Sequence, residues 1–114
     1  MTPTAELRTR LRKLLNEQIP PGGSDSDTNF LDTDLDVLLE EARNIYAAAA
    51  AGWTEKAGFL QSQIESYAVG QERYDLTSLK NQLAHALTMS QRYADIARTS
   101  GGSVMVKFTP PEVL

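Results

Sequence analysis

The chain has 114 residues, of which 41% are hydrophobic and 23% are charged, and its formal net charge is −4. This length and composition predict a single globular domain with one modest core. The negative net charge argues against a dedicated nucleic-acid-binding protein, which needs a concentrated basic face. Cysteine is absent, so disulfide frameworks and thiolate metal sites are excluded.

The sequence also restricts the expected environment of the protein. No apolar run is long enough to cross a membrane, and residues 1–20 contain no apolar core of a signal peptide. We therefore expect a protein that is made and used inside a cell, or inside an assembly that is built there.

A first helix is predicted after Thr2-Pro3-Thr4, because threonine is an acceptable N-cap and proline fits the first turn. Pro20-Pro21-Gly22-Gly23 ends it. Its apolar stripe has helical spacing and consists of Leu7, Leu11, Leu14 and Leu15.

A basic block lies on this helix, and an acidic block follows it. The basic residues are Arg8, Arg10, Arg12 and Lys13, and the acidic residues are Asp25, Asp27, Asp32, Asp34, Asp36, Glu40 and Glu41. The two blocks pair either within one chain or between copies. The basic block could also touch DNA phosphate, although a solvated helix face is the favoured interpretation. Three of its members, Arg8, Arg10 and Arg12, are candidate contacts to a partner or a second subunit.

The acidic block begins with part of the spacing of a calcium loop, in Asp25, Asp27 and Asn29. Such a loop needs glycine at its sixth position and a bidentate glutamate at its twelfth, where this chain has Phe30 and Asp36. An incoming helix is also missing. We therefore predict a polar loop in which Phe30 or Leu31 packs as a hydrophobic staple, followed by a helix.

The main predicted helix runs from residue 34 to about 66, with Thr33 as its N-cap and Asp36 completing an approximate capping box. Gly52 lies within it but carries no other stop signal, so the helix is predicted to continue through it. Such length suggests an elongated subunit or one packed against neighbours. The predicted buried stripe consists of Leu35, Leu38, Leu39, Ala42, Ile45, Tyr46, Ala49, Trp53, Ala57, Leu60 and Ile64.

Residues 66–75 are predicted to be a connection, and a third helix is predicted from Asp75 or Thr77 to Gly101-Gly102. The predicted buried stripe of this helix is Leu79, Leu83, Ala86, Leu87, Ser90, Tyr93, Ala94 and Ala97. The tail then alternates apolar side chains like a short strand, although this chain offers no strand to pair with it. Strand addition to a partner is the favoured interpretation over a disordered end, with candidate contacts Val104, Met105, Val106, Lys107 and Phe108.

No residue set in the sequence points to catalysis, a cofactor or a metal. His85 is the only histidine and has no nearby carboxylate in sequence, and no Ser-His-Asp set can be assembled around it. Glu40, Glu41 and Glu55 lack the Glu-x-x-His companions of a di-metal bundle site. We therefore expect a protein that is not an enzyme and has no cofactor or metal site.

Residues 28–99 resemble the head–tail connector (adaptor) proteins of long-tailed bacteriophages. The resemblance lies in the order and spacing of four phrases, which are residues 28–35 (TNFLDTDL), 50–57 (AAGWTEKA), 66–72 (SYAVGQE) and 76–77 (LT). It implies an all-α helical-bundle subunit, without catalysis, that assembles into a homo-oligomeric ring in the virion neck. The ring would bind the portal protein and a stopper or tail-completion protein, and genomic DNA would pass through it without sequence-specific binding.

Together, the residues and the resemblance predict two regions. Residues 1–100 form a small helical bundle with one long central helix, and residues 101–114 form an extended C-terminal arm. The resemblance implies assembly in the host cytoplasm and no membrane partner. The alternative is a small cytosolic helical module for protein–protein interaction.

Overall fold

The computed structural model describes residues 1–67 and 73–101, and within them the chain is all-α without a strand. This confirms the predicted helical bundle. No helix in these residues is long and apolar enough to cross a membrane. Helix α1 spans Ala5–Leu15, α2 spans Asp32–Glu41, α3 spans Ile45–Tyr67 and α4 spans Arg73–Gly101, with a short 3₁₀ turn at Asp25–Asp27 between α1 and α2.

Helix α1 is capped by a threonine, as the sequence predicts, but the cap is Thr4, whose Oγ1 accepts a hydrogen bond from the Leu7 amide at 3.1 Å. Pro3 therefore precedes the helix and does not belong to its first turn. The helix ends at Leu15, earlier than the Pro20 stop, because Asn16 adopts the left-handed conformation with φ of 58°.

The predicted helix over residues 34–66 is two helices, and the expectation of one continuous helix is wrong. Ala42 is extended, with φ −97° and ψ 149°. The Asn44 side chain then caps α3 by accepting from the Ala47 amide at 2.9 Å, and its Nδ2 donates to the Ala97 carbonyl on α4. Asparagine is among the strongest N-cap residues, which gives the break a local cause.

Helix α2 begins at Asp32, two residues earlier than predicted, and its N-cap is Leu31 and not Thr33. The Asp25 carboxylate accepts from the Asp32 amide at 2.9 Å. The Asp34 carboxylate accepts from the Leu31 amide, also at 2.9 Å. Two aspartates therefore satisfy two of the free N–H groups at this helix start, where their negative charge is also favoured by the helix dipole.

One hydrophobic core joins all four helices. Phe30 provides the predicted staple, with 1% of its surface exposed, whereas the alternative, Leu31, is 44% exposed. Most of the predicted stripe of residues 35–64 is buried even though the helix is interrupted. The buried core residues are Leu11, Leu15, Phe30, Leu35, Leu38, Leu39, Ile45, Ala48, Ala49, Trp53, Ala57 and Ala86.

Helices α3 and α4 form an antiparallel pair. Tyr46 stacks on Tyr93 with ring centroids 6.3 Å apart, and the Thr54 hydroxyl lies 2.7 Å from the Ser90 hydroxyl. The predicted α4 stripe is only partly correct, because Leu87 is 53% exposed while Met89 packs against the core. The molecule is elongated, as expected, with a Cα radius of gyration of 17.0 Å against about 13 Å for a compact chain of similar length.

The predicted connection and arm fall largely on residues 68–72 and 102–114, outside the described residues. Helix α3 continues to Tyr67 and α4 begins at Arg73, so both ends of the predicted connection are helical. Gly101 is the last residue of α4 and not the first of the arm. The candidate contacts of the arm, residues 104–108, stay predictions.

A substitution at Gly52 compares the cost of overpacking the core with the gain in helix propensity. A Cβ added there would lie 2.6 and 2.8 Å from the two δ-carbons of the buried Leu15 side chain. We expect Gly52→Ala to lower the free energy of unfolding by roughly 1 kcal/mol or more, because overpacking outweighs the gain in helix propensity.

Gly58 is the matched control on the same helix, because an added Cβ there meets nothing within 4 Å. Gly58→Ala should raise the free energy of unfolding by up to about 1 kcal/mol. Urea unfolding of both variants measures the two effects. Equal stabilisation by both substitutions would show that Leu15 does not require a glycine at position 52.

Candidate functional site

The guanidinium of Arg12 is buried where the loop over residues 16–31 returns to α1. Arg12 is 4% exposed. Its Nη1 donates to the Glu17 carbonyl at 3.1 Å and to Thr28 Oγ1 at 2.9 Å. Its Nη2 donates to the Phe30 carbonyl at 3.0 Å and to the Asp32 carboxylate at 2.9 Å. Arg12 therefore fixes both ends of the loop and the start of α2 at one point.

The three candidate arginines thus lie in three different environments. Burial of Arg12 is at odds with its predicted partner contact, because both of its Nη nitrogens already donate inside the chain. Arg8 forms a half-exposed ion pair with Asp36 at 2.8 Å. Arg10 is exposed. The basic and acidic blocks therefore pair within one chain at two positions, and partner contact by Arg8 and Arg10 stays a prediction.

A second buried charge pair joins the same loop to α3. The Glu17 carboxylate accepts from the Lys56 ammonium at 2.8 Å and from both the backbone and side-chain nitrogens of Asn29 at 3.0 Å. Lys56 also donates to the Leu15 carbonyl at 2.7 Å and lies 4.3 Å from the centroid of the Trp53 ring. The loop, the end of α1 and the middle of α3 thus meet at one carboxylate.

The surroundings of Glu17 determine its protonation. Burial acts to raise the pKa of this carboxyl, but the hydrogen bonds from Lys56 and Asn29 and the positive charge of Lys56 outweigh burial and hold the pKa below its usual value. Glu17 therefore remains ionised and keeps its partners at neutral pH.

A cleft of about 380 Å³ with a mixed polar and apolar lining opens beside this pair, between α3 and α4. Trp53 is part of its lining, with its Nε1 donating to the Leu14 carbonyl at 3.0 Å and its ring edge-on to His85 at a centroid distance of 5.4 Å. Neutral amides supply much of the remaining lining, which includes Asn16, Asn81 and Gln82. Such a lining suits hydrogen bonding more than acid–base chemistry.

The residues with calcium-loop spacing are used in other ways. Asp25 accepts from the Asp32 amide, and Asp27 accepts from the Ser24 amide at 2.8 Å. Asn29 donates to Glu17, and Asp36 pairs with Arg8. Within the residues that the structure describes, no group of three or more histidine or acidic side chains could hold a metal ion.

No family model, curated protein or solved structure matches this chain. Its function must therefore be inferred from its own residues and their contacts.

The sequence interpretation missed the Glu17–Lys56 pair entirely. Glu17 follows the last turn of α1 and Lys56 lies in mid-helix, so neither position carries a local signal. A weak signal is the spacing of Trp53 and Lys56, which puts an aromatic ring and a cation on one helix face.

Arg12 and Arg10 offer a matched pair of substitutions that tests the buried guanidinium. Arg12→Met removes the donors of four hydrogen bonds and leaves their acceptors in a closed environment. We expect it to lower the free energy of unfolding by roughly 3 kcal/mol, whereas Arg10→Met should change it by less than about 0.5 kcal/mol. Guanidinium chloride unfolding measures both, and losses of similar size would contradict the structural role of Arg12.

Glu17→Gln tests the second pair through its dependence on pH. Because the folded-state pKa of Glu17 lies below its usual value, its contribution to stability is present above the unfolded-state pKa and is lost as pH falls through the folded-state pKa. The wild type should therefore be more stable than Glu17→Gln at pH 7, and the difference should vanish in strong acid. Thermal unfolding of both proteins between pH 7 and strong acid measures this difference. A difference in stability that does not change with pH would refute the pairing.

Proposed function

We propose that this protein is a structural subunit of the neck of a long-tailed bacteriophage, a head–tail connector. In this proposal it forms a homo-oligomeric ring between the portal protein and a stopper or tail-completion protein. Genomic DNA passes through the ring without sequence-specific binding. The role requires no catalysis and no cofactor, and the subunit is assembled in the host cytoplasm into the virion.

The observation that carries the proposal is the convergence of two separated phrases of the resemblance. Thr28 and Asp32, from the first phrase, bind Arg12, while Asn29 from the same phrase binds Glu17. Lys56, from the second phrase, completes the Glu17 pair. Residues that resemble the family in order and spacing thus belong to one connected network, which favours a shared architecture over coincidence among common residues.

Two further properties are compatible with a ring around DNA. The described fold is an elongated all-α unit, which is the fold class that the resemblance implies. The net charge of −4 would limit adhesion of DNA to a channel wall, since like charges repel. We assign the predicted arm, less Gly101 of α4 and hence residues 102–114, to contact with the portal or with a neighbouring subunit.

Native mass spectrometry of the full chain mixed with the portal ring of the same genome tests the proposal. We expect a complex in which the number of bound copies matches the rotational symmetry of the portal. Absence of binding to an intact portal ring would overturn the connector assignment.

Deletion of residues 102–114 separates the connector from the alternative interaction module. The deletion should abolish portal binding while the helical circular dichroism of the remaining residues is retained. Portal binding that survives the deletion would show that the arm is not part of the portal interface. Failure of the truncated chain to fold would instead be visible in the same spectra, and point substitution of Val106 and Phe108 by aspartate would then replace the deletion.

A further inference from the structure

Helices α1 and α2 lie side by side, and their ion pairs identify the sides that face each other. Arg8 on α1 pairs with Asp36 on α2, and Arg12 pairs with Asp32. The two pairs therefore mark the α2-facing side of α1 and the α1-facing side of α2.

The remaining basic residues of α1 lie on its opposite side. Arg10 is two residues from both Arg8 and Arg12, and two residues of α-helix advance the side-chain direction by about 200°. Lys13 follows Arg10 by three residues and lies on the same side. Both are exposed, and neither takes part in an ion pair within the described residues. Glu6, four residues before Arg10, shares this side, which therefore carries two basic residues and one acidic residue. We call this side the basic flank.

The same reasoning places an acidic side on α2. Asp34 is two residues from both Asp32 and Asp36, so it points away from α1. Val37 and Glu41 follow Asp34 at spacings of three and seven residues and share its side. Val37 is 50% exposed, although it is a large apolar residue. We call this side, together with Glu55 of α3, the acidic flank.

We group Glu55 with the acidic flank because the negative charges of Asp34 and Glu41 both act on its carboxyl group. Burial, followed by the negative charges of Asp34 and Glu41, raises the pKa of Glu55. None of these three carboxylates takes part in an ion pair among the described residues. The acidic flank therefore carries repulsion that a cation from outside the chain would relieve.

We infer that the protein associates with a second copy of itself head to tail, through contact of the basic flank of one copy with the acidic flank of the next. The two flanks have opposite charge and point away from each other, so one chain cannot join its own pair. Each added copy uses one of its flanks and leaves the other free, so an open assembly always presents one free flank of each sign. Such a heterologous contact repeats and closes into a ring where the rotation permits.

The apolar side chain of Val37 adds hydrophobic burial to the charge attraction of this contact. Its partner would be the aliphatic stem of Arg10 or Lys13, because long basic side chains cover apolar surface while their charged ends reach acids. Closure into a ring rests on the proposed connector function, whereas the pairwise contact between copies does not.

Thiol cross-linking tests the contact cleanly because the chain has no cysteine of its own. The double variant Lys13→Cys/Val37→Cys carries one thiol on each flank. Treated with a short bismaleimide, it should give a ladder of trimers and larger species on a denaturing gel. Each single variant should remain monomeric, since a head-to-tail contact never brings two copies of one flank together. Efficient dimerisation of a single variant, or no ladder from the double variant, would overturn the inference.

Charge reversal provides a second and independent readout. Arg10→Glu/Lys13→Glu and Glu41→Lys/Glu55→Lys each make both flanks alike, and both leave the Asp34 cap of α2 intact. Each variant should self-associate at least tenfold more weakly than the wild type in sedimentation velocity at low salt. An equimolar mixture should restore association, and high salt should weaken it. Unchanged association of either variant, a mixture that stays monomeric, or a monomeric wild type would refute the contact.

The two experiments also separate this inference from the connector proposal. Reversed variants that still load the portal with a full set of copies would refute the flank contact and leave the connector proposal standing. A ladder from the Lys13→Cys/Val37→Cys variant, together with no portal binding by the wild type, would support the flank contact and overturn the connector proposal.

Discussion

The burial of the Arg12 guanidinium is the constraint on which the arrangement of the first three helices depends. Removing a cation from water is expensive, and a single ion pair with the half-exposed Asp32 does not offset that penalty alone. Three further acceptors, from Glu17, Thr28 and Phe30, bring the hydrogen bonds of its two Nη nitrogens to four. These acceptors are correctly placed only when the loop is closed, so ordering of the loop and burial of the charge must occur together.

This use of charge follows from the composition of the loop. Residues 16–31 are rich in proline, glycine, serine and aspartate, and Phe30 is their one buried large apolar side chain. Apolar burial cannot hold so polar a segment against its conformational entropy. Directional hydrogen bonds to Arg12 and Glu17 provide the missing interactions, and they also specify one loop conformation. The arrangement agrees with the view that buried polar networks contribute specificity where apolar packing is sparse.

Burial that depends on helical periodicity can be predicted from the sequence. Helix breaks and charge pairs that depend on residues distant in the chain cannot. Leu35, Leu39 and Trp53 are predicted to be buried and are buried, because helical spacing determines which face they share. The break before Ile45 is missed because Asn44 lies within an otherwise regular apolar pattern, where its capping role competes with the Ala-rich segment that follows. Arg12 gives no local sign of burial, since its acceptors are 5 to 20 residues away. The same separation hides the Glu17–Lys56 pair.

Helix α4 is held by packing against α3, whereas charge pairs join the other three helices. Its contacts with α3 use small or half-exposed side chains, such as Ala86 and Tyr93, and it has no buried charge pair in the described residues. Alanines allow close approach but bury little area per residue. The exposed Leu87 adds apolar surface on the side of α4 that α3 leaves uncovered. The charge network thus fixes α1, α2 and α3 into the unit that carries both charged flanks, whereas α4 is held to α3 by ring contacts such as Tyr46–Tyr93 and by hydroxyl hydrogen bonds such as that between Thr54 and Ser90.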